Sequence, residues 1–105
     1  MHAHRTITAA ALTTLVVMIA ACASPSPAFF GAQKTEVTRD GMRFAVFQKG
    51  ETAQAIRLGY ANRAARRDMA MRLAVVMEEV TGCKIRQSTL AGDTTELRAK
   101  LTCPN

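Results

Sequence analysis

In Glu96-Leu97-Arg98-Ala99-Lys100-Leu101-Thr102-Cys103, apolar and polar residues alternate without interruption. A period of two predicts a β-strand with one buried and one wet face. Upstream, Lys84 to Leu90 is the matching strand, with Cys83 and Ile85 on one face, and Ala91-Gly92-Asp93-Thr94 is turn-forming chemistry between them. Setting Cys83 opposite Cys103 puts Ile85 opposite Leu101 and Gln87 opposite Ala99, and it centres the turn on Asp93. A disulfide, an inward pattern and a turn thus select one register. A bridge closing a loop of this length stabilises by about 3 kcal/mol in the chain-entropy model. The alternative is a redox-active pair, but the two cysteines form no Cys-x-x-Cys and sit at strand ends, so a structural bridge is expected.

The helix that should cover this sheet precedes it. From Arg63 to Val80, the residues Ala65, Met69, Leu73, Val76, Met77 and Val80 recur by threes and fours, the stripe of a core-facing helix. Asn62 is placed to cap its start, and Gly82 to end it in a left-handed conformation. Further upstream, Thr35–Thr38 and Met42–Gln48 flank Arg39-Asp40-Gly41, a hairpin signal. Met42, Phe44 and Val46 point one way, and Ala45 and Phe47 the other, so this strand should be central. Lys49-Gly50-Glu51 then turns the chain into a third strand, Thr52–Leu58. The expected fold is α+β: an antiparallel sheet in the order βββαββ, with one helix across one face in two layers.

The N-terminus carries a different kind of signal. Met1 to Thr6 holds Arg5 and two histidines, and Ile7 to Ala20 follows with fourteen uncharged residues, shorter than the ~20 a spanning helix needs. Ile19-Ala20-Ala21-Cys22 closes the run. This tetrad resembles the lipobox of bacterial lipoprotein precursors, with Ile19 where Leu is usual, and the resemblance covers residues 1–22 alone. It implies diacylglyceryl transfer to the Cys22 thiol, cleavage before Cys22 and acylation of the new amine. Ala23 and Ser24, rather than Asp, follow the cysteine. Under enterobacteria-like sorting rules this favours the outer over the inner membrane, with the domain facing the periplasm. The alternatives are an ordinary leader cut near Ala28, which leaves Cys22 incidental, and an uncleaved apolar anchor. With Cys22 acylated, Cys83 and Cys103 remain as a pair in an oxidising compartment.

On that reading residues 1–21 are a signal peptide, 22–33 a lipidated flexible tether and 34–105 one small domain. Ser24-Pro25-Ser26-Pro27 supports the tether, being small, polar and proline-rich. Phe29-Phe30 breaks that polarity, and either a membrane interface or the domain could receive it. Removing Arg5 with the leader lowers the formal charge from +6 to +5.

Three features bear on function. Arg57, Arg63, Arg66 and Arg67, followed by Arg72, gather cations about a helix start, where the macrodipole disfavours them; an anion such as phosphate or a lipid headgroup would relieve that, as against a merely solvated basic face. Met71 and Val75 lie at i and i+4 on the back of the helix, and with Phe47 outward they would form a partner-binding patch, as against two commonplace exposed apolar residues. The third is an absence: both histidines are in the leader, and no paired carboxylates, Ser-x-x-Lys, metal-ligand cluster or phosphate-cradling glycine loop occurs. The expectation is a protein that is not an enzyme and needs no cofactor or metal. It would be held on the membrane by its lipid, with a protein partner in the cell envelope and no nucleic acid. An anion- or lipid-headgroup-binding module is the alternative. A periplasmic enzyme inhibitor ranks third, because cationic lysozymes would repel a basic partner.

Overall fold

In the computed structural model, residues 25–104 are described. Strands β1 (Gln33–Arg39), β2 (Met42–Lys49) and β3 (Thr52–Leu58) form an antiparallel meander. Helices α1 (Arg63–Arg67) and α2 (Met69–Thr81) follow, then β4 (Lys84–Ile85), β5 (Ala91–Gly92) and β6 (Glu96–Thr102). The sheet order is β1-β2-β3-β6-β4, with β5 also paired to β6. The fold is thus α+β, an antiparallel sheet with one main helix on one face. The β1–β2 turn needs positive φ at both central residues, and Asp40 (φ 53°) and Gly41 (φ 77°) provide it.

The main core lies between α2 and the sheet. Met69, Leu73, Val76 and Met77 are buried against Phe44 and Val46 of β2 and Leu97, Ala99 and Leu101 of β6. In β3 the facing residues are Ala53 and Ala55, both fully buried, and their small side chains let the helix settle close over the centre of the sheet. The predicted stripe is therefore the buried one, with Ala65 and Val80 packed at its margins. One continuous helix from Arg63 was expected. Instead a turn at Asp68 (φ −102°, ψ 10°) divides it, and periodicity cannot register this because the stripe keeps step across the break. Both predicted ends hold: Asn62 Oδ1 accepts from Ala65 N at 2.8 Å, and Gly82 closes α2 at φ 71°.

β2 is central and apolar on both faces. Its second face carries Ala45 and Phe47, which are covered by Phe29 and flanked by Ala32, Ile56 and Leu58. Phe29 belongs to a short 3-10 helix, Pro27–Phe29, held by one buried polar side chain. Gln54 is 2% exposed, and its Oε1 accepts from Ser26 N at 3.0 Å. Its Nε2 donates to Ser26 Oγ at 2.9 Å and to Glu96 Oε2 at 2.9 Å. The segment expected as free tether therefore packs on the sheet from Ser26 onward. A boundary at 33/34, drawn from composition, does not mark where packing begins.

At the C-terminus Cys83 and Cys103 are joined, across 20 residues of sequence. Ile85 faces Leu101 as predicted. Gln87 does not face Ala99: Gln87–Thr89 coils into a 3-10 turn, and pairing resumes with Ala91 opposite Arg98, a register shifted by three residues. The polar run explains the shift, since Thr89 Oγ1 donates to Arg86 O at 2.6 Å and accepts from Lys100 N at 2.9 Å, standing in for ladder bonds. The turn beyond is organised by Asp93, whose Oδ1 accepts from Thr95 N at 2.7 Å and Glu96 N at 3.2 Å. Those two backbone donors hold the Asp93 carboxyl below the ordinary range, helped by Arg57 and Arg98 and opposed by burial.

Candidate functional site

The outer face of α2 carries the most distinctive exposed surface of the described residues. Met71 and Val75, one turn apart, are 63% and 48% exposed. Their i, i+4 spacing stacks them into a short apolar ridge along the helix. Ala70 and Ala74, also one turn apart, lie beside them and keep that flank low.

An open cleft lies on each side of the ridge, and both are lined by Met71 and Val75. The first, about 290 Å³, separates the helix from the tip of the β1–β2 hairpin, with Phe44 and Val76 in its floor. Two ion pairs bridge its rim: Arg39 Nε to Glu79 Oε2 at 3.0 Å and Arg72 Nη1 to Asp40 Oδ2 at 3.1 Å. Both have exposed members, so each contributes at most about 1 kcal/mol. Arg72 Nε is itself buried and has no hydrogen-bond partner. The second cleft, about 410 Å³, runs between α2 and the turn after β4, and Ile85, Leu90 and Leu97 make it largely apolar. Glu78 closes one side, its Oε2 accepting from Ile85 N at 2.8 Å.

Phe47 does not join this ridge. It is 5% exposed, on the opposite face of the sheet beneath Phe29, so the patch expected from Met71, Val75 and Phe47 reduces to the first two. The docking of Phe29 removes Phe47 from solvent, and strand alternation alone could not foresee that cover.

The arginines are also distributed differently from the expectation. Arg57 donates from Nε to Thr94 O at 3.1 Å and from Nη1 to Gly59 O at 2.9 Å, tying the β5–β6 turn to the end of β3. Arg63, Arg66 and Arg67 are exposed on the five-residue α1. The break at Asp68 puts Arg66 and Arg67 in the last turn of that helix, where cations are favourable rather than opposed by the macrodipole. Cys22 lies outside the described residues.

Among the described residues, no helix is long and apolar enough to cross a membrane, and no three His, Cys, Asp or Glu side chains gather as metal ligands would. Sequence reasoning missed the two clefts and the unpartnered Arg72 Nε. The Ala70/Ala74 pair beside Met71/Val75 was the one available signal, since small residues next to large ones on a helix face leave a groove. None of the protein-family models, curated proteins or solved structures compared with the chain matches it.

Proposed function

We propose that this chain is a non-catalytic lipoprotein of the cell envelope. On this reading it is anchored through Cys22, favours the outer membrane and holds another protein on the outer face of α2. The observation that carries the partner-binding half is the Met71–Val75 ridge with a cleft on either side. Isolated exposed apolar residues are ordinary, but a ridge between two concavities offers a partner both a knob and two sockets. The Cys22 anchor rests on the Ile19-Ala20-Ala21-Cys22 resemblance, and the Cys83–Cys103 bridge is consistent with the oxidising compartment that it implies.

A headgroup site built from Arg57, Arg63, Arg66 and Arg67 has less in its favour, since Arg57 is tied down by its bonds from Nε to Thr94 O and from Nη1 to Gly59 O. The test is cross-linking in intact cells from a photoreactive residue at position 75 of the full chain. One dominant adduct is expected. It should vanish with Met71→Glu, a surface change that leaves the circular dichroism and melting of the domain as they were. A smear of unrelated adducts, or one insensitive to Met71→Glu, would refute the docking role.

A further inference from the structure

The face of the sheet away from α2 has a composition of its own. Residues directly opposite one another in a sheet share a face, and alternate residues of a strand return to it. The register therefore places Lys34 of β1, Arg43 and Lys49 of β2, and Arg98 and Lys100 of β6 on the face that carries Phe47 and Gln54. All five are exposed. The strand carboxylates on this face are Glu36 and Glu96, and Gln54 already holds Glu96 from within. Lys49 and Lys100 enter none of the ion pairs among the described residues. The other three cations pair with the carboxylates of the same face, Lys34 and Arg43 with Glu36 and Arg98 with Glu96, which still leaves five strand cations to two strand anions there.

Amid these cations stands an aromatic side chain that does not pack. Phe29 is buried on the sheet, while Phe30, the next residue, is 58% exposed. Lys49 Nζ donates to Phe30 O at 3.4 Å, so a cation lies beside the residue whose ring projects. A basic surface with a protruding aromatic is the combination that adheres to anionic bilayers, the charges reaching headgroups and the ring entering the boundary with the acyl chains.

We propose that this face of the sheet is a membrane-facing surface for anionic phospholipid, with Phe30 as its wedge and Lys34, Lys49, Arg98 and Lys100 as headgroup contacts. It holds the domain flat, so that the Met71–Val75 ridge points away from the bilayer toward its partner. The orientation deepens the proposed function and rests on its anchor in one respect. If Cys22 is lipidated, Ser26 follows it by only four positions, and Gln54 fixes Ser26 to this same face. Four residues reach at most about 14 Å. The headgroup layer of one leaflet accounts for about 5–8 Å of that reach. The short leash draws this face, and not the helix, to the surface.

The test exploits a chain with no tryptophan. Phe30→Trp and Met71→Trp, both at exposed positions, each give a single reporter. The full chains, isolated from cells, are reconstituted in vesicles of phosphatidylethanolamine and phosphatidylglycerol carrying acyl-brominated lipid. The expected result is a blue-shifted, quenched indole at position 30 and an unshifted, unquenched indole at position 71. Changing Lys34, Lys49, Arg98 and Lys100 to Gln should abolish the difference, as should 1 M salt, which shortens the screening length to about 3 Å. Equal quenching at both positions, quenching at position 71 alone, quenching at neither, or a position-30 signal untouched by the four substitutions overturns the proposal. Intact mass on the same samples reads the anchor separately. Lipid contact at position 30 with an unmodified Cys22 would sink the lipoprotein reading and keep this surface, whereas a lipidated chain with equal reporters would do the reverse.

Discussion

Reducing the Cys83–Cys103 bridge should cost this domain a large share of its stability. The bridge closes a loop with a sequence separation of 20, for which the chain-entropy model gives about 3 kcal/mol. The described unit, 25–104, has 80 residues, and at roughly 0.05–0.15 kcal/mol per residue its whole stability is about 4–12 kcal/mol. For domains of this size 1 kcal/mol moves Tm by about 4–8 °C, so reduction should lower Tm by about 12–24 °C. The structure adds a local reason to expect an effect: β4 contributes only the pairs Lys84–Thr102 and Ile85–Leu101, and the bridge closes the open end of that short ladder. Thermal unfolding of the full chain in detergent, followed by far-ultraviolet circular dichroism with and without reductant, reads the shift. Cys83→Ala/Cys103→Ala, unaffected by reductant, is the control. A shift under about 4 °C, the effect of a single kcal/mol, would refute the reasoning, because the hairpin would then be held by packing and not by the bridge.

Three further outcomes follow from single residues. Gly92 sits at φ +135°, where a Cβ would collide with the Glu96 carbonyl oxygen, whereas Gly50 at φ +61° has open space around it. Gly92→Ala should destabilise by about 2–3 kcal/mol and Gly50→Ala by about 1–2 kcal/mol in denaturant unfolding; equal effects would contradict the close approach. Gln54→Leu removes three hydrogen bonds that hold Ser26 and Glu96, a loss of about 2–4 kcal/mol. It should raise hydrogen exchange across residues 26–32 well above that of β2, and unchanged protection would show that Phe29 alone secures the segment. Asp93 has a folded-state value below the ordinary aspartate range near pH 4, so its contribution to the β5–β6 turn is present above about pH 4 and is lost as pH falls through the lowered value. A carboxyl NMR titration midpoint at or above about pH 4 would contradict this.

What could be read from the chain depended on whether the signal was local. The alternation of Leu97, Ala99 and Leu101 and the threes and fours of Met69, Leu73, Val76 and Met77 are imposed by the faces they bury, and both appear as expected. One departure arises where a polar side chain rewrites the backbone: Thr89 substitutes its hydroxyl for ladder bonds and slips the register. Another is the turn at Asp68, which interrupts a helix whose stripe is in phase on both sides. The docking of Phe29, which the sequence left open, is of a third kind. Whether an apolar pair in a proline-rich segment packs depends on a receiving surface that Ala45 and Phe47 supply only later in the chain, and on Gln54 to hold it there. The candidate site divides in the same way: Met71 and Val75 follow from helix geometry, whereas the clefts beside them need the β1–β2 tip and the turn after β4, which only the assembled fold supplies.

The proposed place in the cell envelope rests on the anchor, and intact-mass analysis of the protein taken from its native membranes tests it most directly. The expected species is a chain beginning at Cys22, with residues 1–21 removed, a diacylglyceryl group on the thiol and an acyl group on the amine. A chain that retains residues 1–21, or one that carries an unmodified Cys22, would contradict it.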